Sequence, residues 1–251
     1  MLPVFVADPV PPVGEAVLDG TEGRHAASVR RLRAGEALLL TDGRGELAKC
    51  VVAGPVGRDA LRLDVVRRWS VPRPELRIVL AQALLKGDRG ELAVELATEA
   101  GIDAVLPWRA ARSVARWDAG ERGAKALLRW RSSAREAAKQ ARRPWLPEVF
   151  EPVDTRALAG RVAAAARAVV LHESATTPLA DVPLPAAGEL VLVVGPEGGV
   201  DDAELAELAA AGAVPARLGP AVLRASTAGV VALGALGVLT GRWALTQSGE
   251  F

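Results

Sequence analysis

The residues with the clearest chemical potential form a Gly-Pro-Glu-Gly-Gly loop, Gly195–Gly199, directly after the apolar run Leu190–Val194. In open α/β sheets, ligands bind beyond the carboxyl ends of the strands, where glycine lets a ligand approach the backbone closely. The loop lacks the Gly-Lys-Ser/Thr of a phosphate loop and the glycine spacing of a dinucleotide site, and its carboxylate, Glu197, favours a cation over a phosphate. The pattern predicts a ligand site; the alternative is a tight turn that simply requires glycine.

A second stretch, Leu218–Gly229, has the same order of strand end, Gly-Pro turn and helix start. Its Arg224 stands beside an apolar helix and a glycine loop, which points to a functional arginine more than a surface position would. The alternative is a solvated or acid-paired arginine. Ser226 or Thr227 can serve as the N-cap of the helix, which is the simplest explanation for Thr227.

Composition excludes several other classes of site. His25, Cys50 and His172 match no metal-ligand spacing, so we expect no metal. A single cysteine cannot form an intrachain disulfide, which indicates a reducing compartment, and the N-terminus lacks the regions of a signal peptide. The 17 residues Ala225–Gly241 carry no charge but include four glycines. We therefore expect a buried helix in a soluble protein, not a membrane span.

The net charge of +1 hides an uneven distribution along the 251 residues. Residues 1–72 carry +1, residues 73–147 carry +6 and residues 148–251 carry −6. A basic middle part suggests a surface for a polyanion. The alternative is that the basic helices pair with acidic segments of the same fold.

A boundary between two domains is predicted at Val71-Pro72-Arg73-Pro74, because two prolines in three residues continue neither a helix nor a central strand. Residues 1–71 read as a small β-rich domain of barrel type. Its apolar runs, such as Ala37–Thr41 and Leu61–Val66, are separated by turns at Asp42–Gly45 and Gly54–Gly57. One helix interrupts them, around Arg24–Leu32.

Residues 72–251 alternate between strands and helices, which predicts a parallel α/β sheet covered by helices. The predicted strands are Leu76–Ala83, Ile102–Trp108, Ala163–Leu171, Leu190–Val194 and Pro215–Leu218, and the sequence leaves open a helix before Ala163. The predicted helices are Arg89–Ala100, a long basic helix at about Gly120–Gln140, Asp201–Ala211 and the apolar helix from about Ala225. Trp108, Trp117, Trp130 and Trp145 are expected in the core or at an interface.

Five motifs, in chain order over nearly the whole sequence, resemble a known family. They are His25-x-x-x-Val29-Arg30-Arg31-Leu32-Arg33-x-Gly35-Glu36, Gln82–Asp88 with Ala97–Gly101, Arg135–Arg143, His172–Leu179, and the pair Val193–Gly199 with Leu218–Ala228. The last pair resembles the SPOUT methyltransferases with a deep trefoil knot. The others resemble the RsmE branch of that class, including its PUA-like RNA-binding domain.

The resemblance implies a cytoplasmic, homodimeric 16S ribosomal RNA methyltransferase that uses S-adenosylmethionine to methylate N3 of one uridine, the 1498-type site. It also implies a PUA-like domain at 1–71 and a knotted methyltransferase domain at 72–251. The chain departs from the family at two places. Ala225-Ser226-Thr227-Ala228 stands where Thr-Glu-Thr-Ala is usual, so no role of that glutamate carries over, and Val200 stands where phenylalanine is common.

With this reaction as the premise, we expect the following site residues to act. Arg224 would stabilise the charge that develops on O2 and O4 of the uracil, and Glu197 or a water would accept the N3 proton. An equally weighted alternative is that Glu197 fixes its loop or answers the sulfonium charge. The expected cofactor-binding residues are Leu171, His172, Glu173, Val194, Gly195, Pro196, Gly198, Gly199, Leu218, Gly219, Val222, Leu223, Thr227 and Ala228.

Basic residues on both sides of the domain boundary are the expected contacts to RNA, and their number predicts strong salt dependence. They are His25, Arg30, Arg31, Arg33, Lys86, Arg142 and Arg143. For each single arginine, a solvated surface position is the alternative, and His25 or His172 could equally be a polar core residue. Two other functions stay open: a non-catalytic RNA-binding protein, which the glycine loops disfavour, and a knotted methyltransferase that acts on transfer RNA.

Overall fold

The computed structural model describes residues 2–117 and 120–244. The chain forms two compact units. The first comprises the residues up to Arg73 together with Ala138–Leu146. The second comprises Pro74–Ala137 and the residues from Pro147 onward.

The first unit is built on a five-stranded sheet. Its strands are β1 (Val4–Val6), β2 (Gly14–Leu18), β3 (Ala37–Thr41), β4 (Glu46–Val56) and β5 (Ala60–Ser70). They lie in the order β1-β3-β4-β5-β2, with β1 parallel to β3 and every other pair antiparallel. The predicted turn at Asp42–Gly45 joins β3 to β4, as expected for Asp-Gly between two apolar runs.

Two local predictions for this unit were wrong. The chain does not turn at Gly54, because β4 continues to Val56 through a register irregularity between Val52 and Gly54. The helix begins earlier than Arg24: α1 (Gly20–Arg24) runs into a π-helical turn at His25–Val29. Glycines conceal α1 in the sequence because they are poor helix formers. Gly23 is needed there since a Cβ would overlap the carbonyl group of Leu18.

The segment Ala138–Leu146 packs within the first unit through buried polar and aromatic contacts. The ammonium group of Lys139 lies 3.2 Å from Oε1 of Glu22, and both side chains are nearly buried. The indole of Trp145 donates a hydrogen bond of 3.0 Å to the carbonyl of Val71 and lies under the guanidinium of Arg73. Trp145 is therefore a packing residue within this unit.

The second unit contains a six-stranded sheet in which every pair is parallel, as predicted. Its strands are β6 (Leu76–Ala83), β7 (Ala104–Trp108), β8 (Glu148–Val149), β9 (Arg167–Leu171), β10 (Gly188–Val194) and β11 (Ala213–Ala216). The order is β11-β9-β10-β6-β7-β8. The last strand begins two residues before its predicted start at Pro215, because Ala213 and Val214 already pair with β9.

Five helices cover the two faces of this sheet. They are α2 (Arg89–Glu99), α3 (Glu121–Gln140), α4 (Thr155–Ala164), α5 (Asp202–Ala210) and α6 (Ala225–Leu239). One core contains α2, α3 and α6, and the other contains α4 and α5. Trp108 and Trp130 are fully buried, one in each core, as expected.

The predicted apolar helix, α6, packs closely on the middle of the sheet. A Cβ on Gly229 would lie 3.3 Å from the side chain of Leu80 and 3.9 Å from that of Val194, so glycine allows this close approach. No helix in the described ranges is both long and apolar enough to cross a membrane. The same residues contain no cluster of potential metal ligands.

Candidate active site

Two adjoining cavities lie at the carboxyl ends of β9, β10 and β11, where ligands bind in sheets of this type. The larger has a volume of about 370 Å³ and the smaller of about 90 Å³. The larger is lined by Arg89, Leu171, Glu173, Val194, Gly195, Pro196, Glu197, Gly199, Val200, Val222, Leu223, Arg224, Ala225 and Ala228. The smaller is lined by Leu171, His172, Glu173, Ala216, Arg217, Leu218, Ala221, Val222, Leu223 and Ala228.

Most of the residues expected to bind a cofactor thus line one or both cavities, and so do the two expected catalytic residues, Arg224 and Glu197. Gly198, Gly219 and Thr227 do not line either cavity. The capping role expected for Thr227 was wrong, because Arg224 is the N-cap residue of α6. Thr227 lies in the first turn, where its hydroxyl donates a hydrogen bond of 3.1 Å to the carbonyl of Arg224.

The Gly195–Gly199 loop needs glycine for packing and also forms a wall of the larger cavity. A Cβ on Gly195 would lie 2.7 Å from Cγ2 of Val200, which is too close for any side chain. Gly199 has a φ of +76°, in the left-handed region that favours glycine. Its N–H closes the turn by donating to the carbonyl of Pro196 at 3.0 Å. The Gly195–Gly199 loop is therefore both the tight turn and the ligand-site wall that the sequence analysis treated as alternatives.

Arg112 holds the outer side of this loop and was not anticipated from the sequence. Its Nη1 lies 3.5 Å from the carbonyl oxygen of Gly198 and 3.4 Å from that of Val200, and its Nη2 pairs with Asp201 at 3.1 Å. Asp201 in turn caps α5 by accepting a hydrogen bond from the N–H of Ala203. No local motif marks Arg112, because its partners lie more than 80 residues away along the chain.

Glu197 joins the glycine loop to the segment before α2. Its Oε1 accepts a hydrogen bond of 3.2 Å from the N–H of Lys86 and lies 3.9 Å from Nη1 of Arg89. Arg89, the first residue of α2, also lines the larger cavity. The sequence analysis does not identify Arg89, although this residue directly follows the Gln82–Asp88 motif.

The carboxyl edge also carries the expected His172 loop. The ring Nδ1 of His172 lies 2.8 Å from the hydroxyl of Ser174 and 3.3 Å from its N–H, so the ring is engaged with its own loop. Glu173 is exposed and lines both cavities. The larger cavity therefore presents two carboxylates, Glu173 and Glu197, and two guanidinium groups, Arg89 and Arg224, and the smaller cavity adds Arg217 and His172.

The residues expected to contact RNA are divided between the units. Lys86 is exposed in the second unit, whereas the other six lie in the first. Arg30, Arg31 and Arg33 are exposed, and Arg142 and Arg143 are partly buried. His25 packs edge-on against Phe5, with 5.6 Å between ring centroids, as a residue of the first core would.

The basic helix α3 is largely paired with acidic side chains, which favours the second explanation of the charge distribution for this helix. The pairs are Lys125–Glu121 at 2.6 Å, Arg129–Glu91 at 2.7 Å, Arg131–Glu151 at 2.9 Å and Lys139–Glu22 at 3.2 Å. The arginines with exposed side chains in the first unit therefore stand out as the better candidates for an RNA surface.

The sequence is similar to known RNA methyltransferases, which agrees with a ligand-binding cavity at the carboxyl edge of the sheet. Residues 72–237 match the family model of an RNA methyltransferase domain, and residues 18–66 match that of an RNA methyltransferase PUA domain. The chain is 54% identical to a Mycobacterium bovis protein named ribosomal RNA small subunit methyltransferase E, over 98% of this chain and 95% of that one. A Bacillus subtilis protein of the same name is 32% identical over 89% of this chain and 90% of its own length.

The fold agrees as well. A crystal structure of ribosomal RNA small subunit methyltransferase E from Neisseria gonorrhoeae, bound to S-adenosyl methionine, superposes with a TM-score of 0.85. It is 26% identical to this chain and covers 95% of this chain and 98% of its own. The two units thus correspond to a PUA-like domain and an α/β methyltransferase domain.

Proposed function

The chain belongs to the ribosomal RNA small subunit methyltransferase E family of RNA methyltransferases, and from this premise we propose that it transfers a methyl group from S-adenosylmethionine to N3 of one uridine in 16S ribosomal RNA. The observation that carries the proposal is the cavity at the carboxyl edge, where both glycine-bearing loops meet Arg224. Methyl transfer is mostly a problem of positioning, and such a cavity supplies it.

The cavity fits S-adenosylmethionine in shape and charge. Backbone and small side chains of the Gly195 loop and of Val222–Ala228 leave room for the adenosine and methionine parts, and apolar groups such as Leu171 and Val194 suit the adenine ring. The carboxylates of Glu173 and Glu197 suit the positive charges of the ligand. When bound, this cofactor supplies an electrophilic methyl group on a sulfonium.

The residues of the chain must make N3 of the uracil nucleophilic. N3 carries a proton at neutral pH, and its loss spreads negative charge over O2 and O4. Arg224 lines the cavity and stabilises this charge as it develops. Glu197 or a water molecule accepts the proton. The contacts of Glu197 with Lys86 and Arg89 support its other role, that of fastening the loop.

The RNA is held through its phosphates, and its target base must leave any stack to enter the cavity. Arg30, Arg31 and Arg33 are exposed in the PUA-like unit and supply phosphate contacts there. Arg142 and Arg143, in the same unit, extend that set. His25 has a smaller part, since its ring packs against Phe5.

The chain acts as a cytoplasmic homodimer on the small ribosomal subunit. Its PUA-like RNA-binding domain comprises residues 1–71, to which the segment Ala138–Leu146 adds, and its knotted methyltransferase domain comprises the remainder of residues 72–251. The support for a dimer through the second domain is α6, which has no charged residue and keeps apolar side chains exposed. The support for the domain boundary is the change from the antiparallel ladder of β5 to the parallel strand β6 across residues 71–75.

Tritium transfer from labelled S-adenosylmethionine to small subunits of a strain that lacks this gene tests the proposal. Nucleoside analysis of the product should give a single new peak at N3-methyluridine. Label on transfer RNA would be compatible with a methyltransferase fold but would reject 16S ribosomal RNA as the substrate. Label on no RNA would reject the methyltransferase activity. Arg224→Ala should lower single-turnover methylation about 10²-fold with cofactor affinity retained. Unchanged turnover of that variant would dismiss the role of Arg224.

A further inference from the structure

Two arginines line the larger cavity, and among the residues that the structure describes neither guanidinium is hydrogen-bonded to another residue. Arg89 and Arg224 are the basic side chains among its described lining residues. Within the described ranges, neither side chain forms a hydrogen bond with another residue; Arg89 has only its pairing with Glu197, at 3.9 Å. That distance exceeds the 2.7–3.2 Å of a typical N–H···O bond, so the donors of Arg89 stay available. In contrast, Arg112 is bonded to the loop it supports.

The helices that carry these arginines add to the positive potential. Arg89 is the first residue of α2, Arg224 is the N-cap of α6, and the two helices pack against each other. Both follow strands of a parallel sheet, so both N-termini lie at its carboxyl edge. The N-terminal end of a helix carries about half a positive elementary charge. Two guanidinium groups and two helix N-termini therefore lie at one cavity, beside the carboxylates of Glu173 and Glu197, and this part of the wall can stabilise an anion while the carboxylates suit the positive charges of the cofactor.

The anion that the reaction creates has two charged oxygens. Once N3 has lost its proton, the charge lies on N3, O2 and O4, and the two oxygens flank the nitrogen on opposite sides. One cation can reach only one of them. We propose that Arg89 is the second catalytic cation: it donates to one of the two uracil oxygens, while Arg224 donates to the other. This proposal rests on the proposed function and deepens it.

The same geometry gives Glu197 a defined task. Its carboxylate accepts a hydrogen bond from the N–H of Lys86 and lies 3.9 Å from Nη1 of Arg89, so it attracts that guanidinium to the edge of the cavity without using its N–H donors. Glu197 is then a positioning residue for the second cation. The dual contact of Glu197 explains why a loop beside a developing anion contains a carboxylate at all.

The chemical step balances without any further reagent. The N3–H bond breaks, its proton passes to water, and the two electrons of that bond stay on N3. This pair forms the new bond to the methyl carbon, while the bond from that carbon to sulfur breaks and its electrons stay on sulfur. The two guanidinium groups change no bond. They lower the free energy of the uracil anion, and hence the pKa of N3–H in the site.

The pH dependence of single-turnover methylation tests this role, because a lost cation raises the pKa of the bound base. Arg89→Ala should lower the rate about 10²-fold at neutral pH. The pH at which the rate levels off should move upward by about one unit or more, since one unit corresponds to about 1.4 kcal/mol of charge stabilisation. The rate and the pH midpoint of Arg89→Lys should lie between those of the wild-type protein and those of Arg89→Ala. Arg156→Ala, an exposed arginine in the first turn of α4, is the matched control and should leave the profile unchanged.

Equilibrium binding supplies a readout that does not depend on turnover. The probe is a short RNA of the methylated region with 5-fluorouridine, whose N3 proton is more acidic, at the modified position. With S-adenosylhomocysteine present, the wild-type protein should bind this RNA more tightly than the uridine form, and increasingly so as the pH rises. In Arg89→Ala, the ratio of the affinities for the 5-fluorouridine RNA and the uridine RNA should be about tenfold smaller.

The outcomes separate this inference from the function beneath it. A variant Arg89→Ala that keeps both the wild-type pH profile and the preference for 5-fluorouridine would overturn the second cation. A lower rate at an unchanged profile midpoint would do the same, because it would indicate only a structural role for Arg89. If the wild-type protein itself fails to form N3-methyluridine, the proposed function fails first, whatever Arg89 does.

Discussion

Arg112 acts on the site through the loop that it holds. Its guanidinium contacts the carbonyl groups of Gly198 and Val200 and the carboxylate of Asp201, and these contacts favour the loop conformation that lines the larger cavity. Preorganisation of this kind lowers the cost of binding, because the loop need not be ordered by the ligand. Arg112 is itself absent from the cavity wall.

Arg112→Ala should therefore raise the Kd for S-adenosylmethionine about tenfold and leave the single-turnover rate at saturating cofactor within about threefold, as expected for a lost binding contribution. Isothermal titration and single-turnover kinetics measure the two quantities. Arg112→Lys keeps the charge beside Asp201 and should restore part of the affinity. A variant that loses rate but not affinity would contradict the positioning role.

Cys50 couples the stability of the first unit to pH. The side chain is fully buried, and this burial raises the pKa of the thiol to about 12. An unfolded cysteine titrates near pH 8.5. Above that pH the unfolded chain releases a proton that the folded chain keeps, so the stability that is present at lower pH is lost as the pH rises toward 12.

Between pH 7.5 and pH 10, the wild-type protein should lose about 2 kcal/mol more unfolding free energy than Cys50→Ala does. The alanine variant has no ionisable group at position 50 and keeps every other ionisable group of the wild-type protein. Denaturant unfolding followed by tryptophan fluorescence gives both curves. Parallel curves across this range would mean that the thiol is accessible in the folded protein.

At the scale of elements, the end of α3 contains a strained residue. Arg142 has a φ of +54°, its N–H donates to the carbonyl of Lys139, and that of Arg143 donates to the carbonyl of Ala138. This is the Schellman arrangement, in which the left-handed residue is usually glycine. An arginine at that position costs about 1–2 kcal/mol in backbone energy. Arg31, another proposed RNA contact, also has a positive φ, +55°.

Arg142→Gly should stabilise the protein by about 1 kcal/mol, because glycine adopts this conformation without strain. It should also weaken RNA binding and lower the slope of log K against log salt by about one, as for a lost phosphate contact. Arg142→Ala is the matched control: it removes the same side chain but keeps the strain, so it should lose affinity without the gain in stability. Thermal unfolding and RNA titrations at several salt concentrations distinguish the two. Equal affinity in both variants and the wild type would remove Arg142 from the RNA surface.

The elements that were predicted well are those with a strong local pattern. The strand β6 and the helix α2 lie where apolar runs, spacing and the flanking glycine and proline put them. The short α1 was placed too late because its glycines hide it, and β8 was missed because two residues carry no periodicity. The π-helical turn after α1 likewise leaves no pattern in the sequence.

The residues of the site also differ in whether a local pattern in the sequence reveals them. Its glycine loops and Arg224 were found because each loop is a contiguous motif after a buried strand. Arg89 and Arg112 were missed, since each reaches the Gly195–Gly199 loop from a different segment of the chain. Only the parallel pairing of β7 with β6 and of β6 with β10 brings these segments to one edge of the sheet. A sequence pattern holds no information on which arginine will face a cavity and which will support its wall.

At the scale of the whole molecule, α6 points to self-association. Val231, Val238 and Leu239 are 47%, 71% and 47% exposed, on a helix without a single charged residue. Val231, Ala235 and Val238 follow the spacing i, i+4, i+7 and so lie along one stripe of the helix. Burial of such a stripe gains about 25 cal/mol for each Å² of apolar surface, and the small Ala235 lets a second helix approach closely.

Sedimentation should therefore give a particle of twice the 26.1 kDa chain mass. Val238→Glu should yield the monomer, because a carboxylate on the stripe would be buried in the interface without a partner. Val114→Glu is the matched control: Val114 is 68% exposed in the same unit but lies outside α6, and its variant should stay dimeric. If Val238→Glu stays dimeric while Val114→Glu dissociates, the interface lies elsewhere in the second unit. A monomeric wild-type protein at micromolar concentration would reject the homodimer itself and leave the exposed stripe of α6 for another partner.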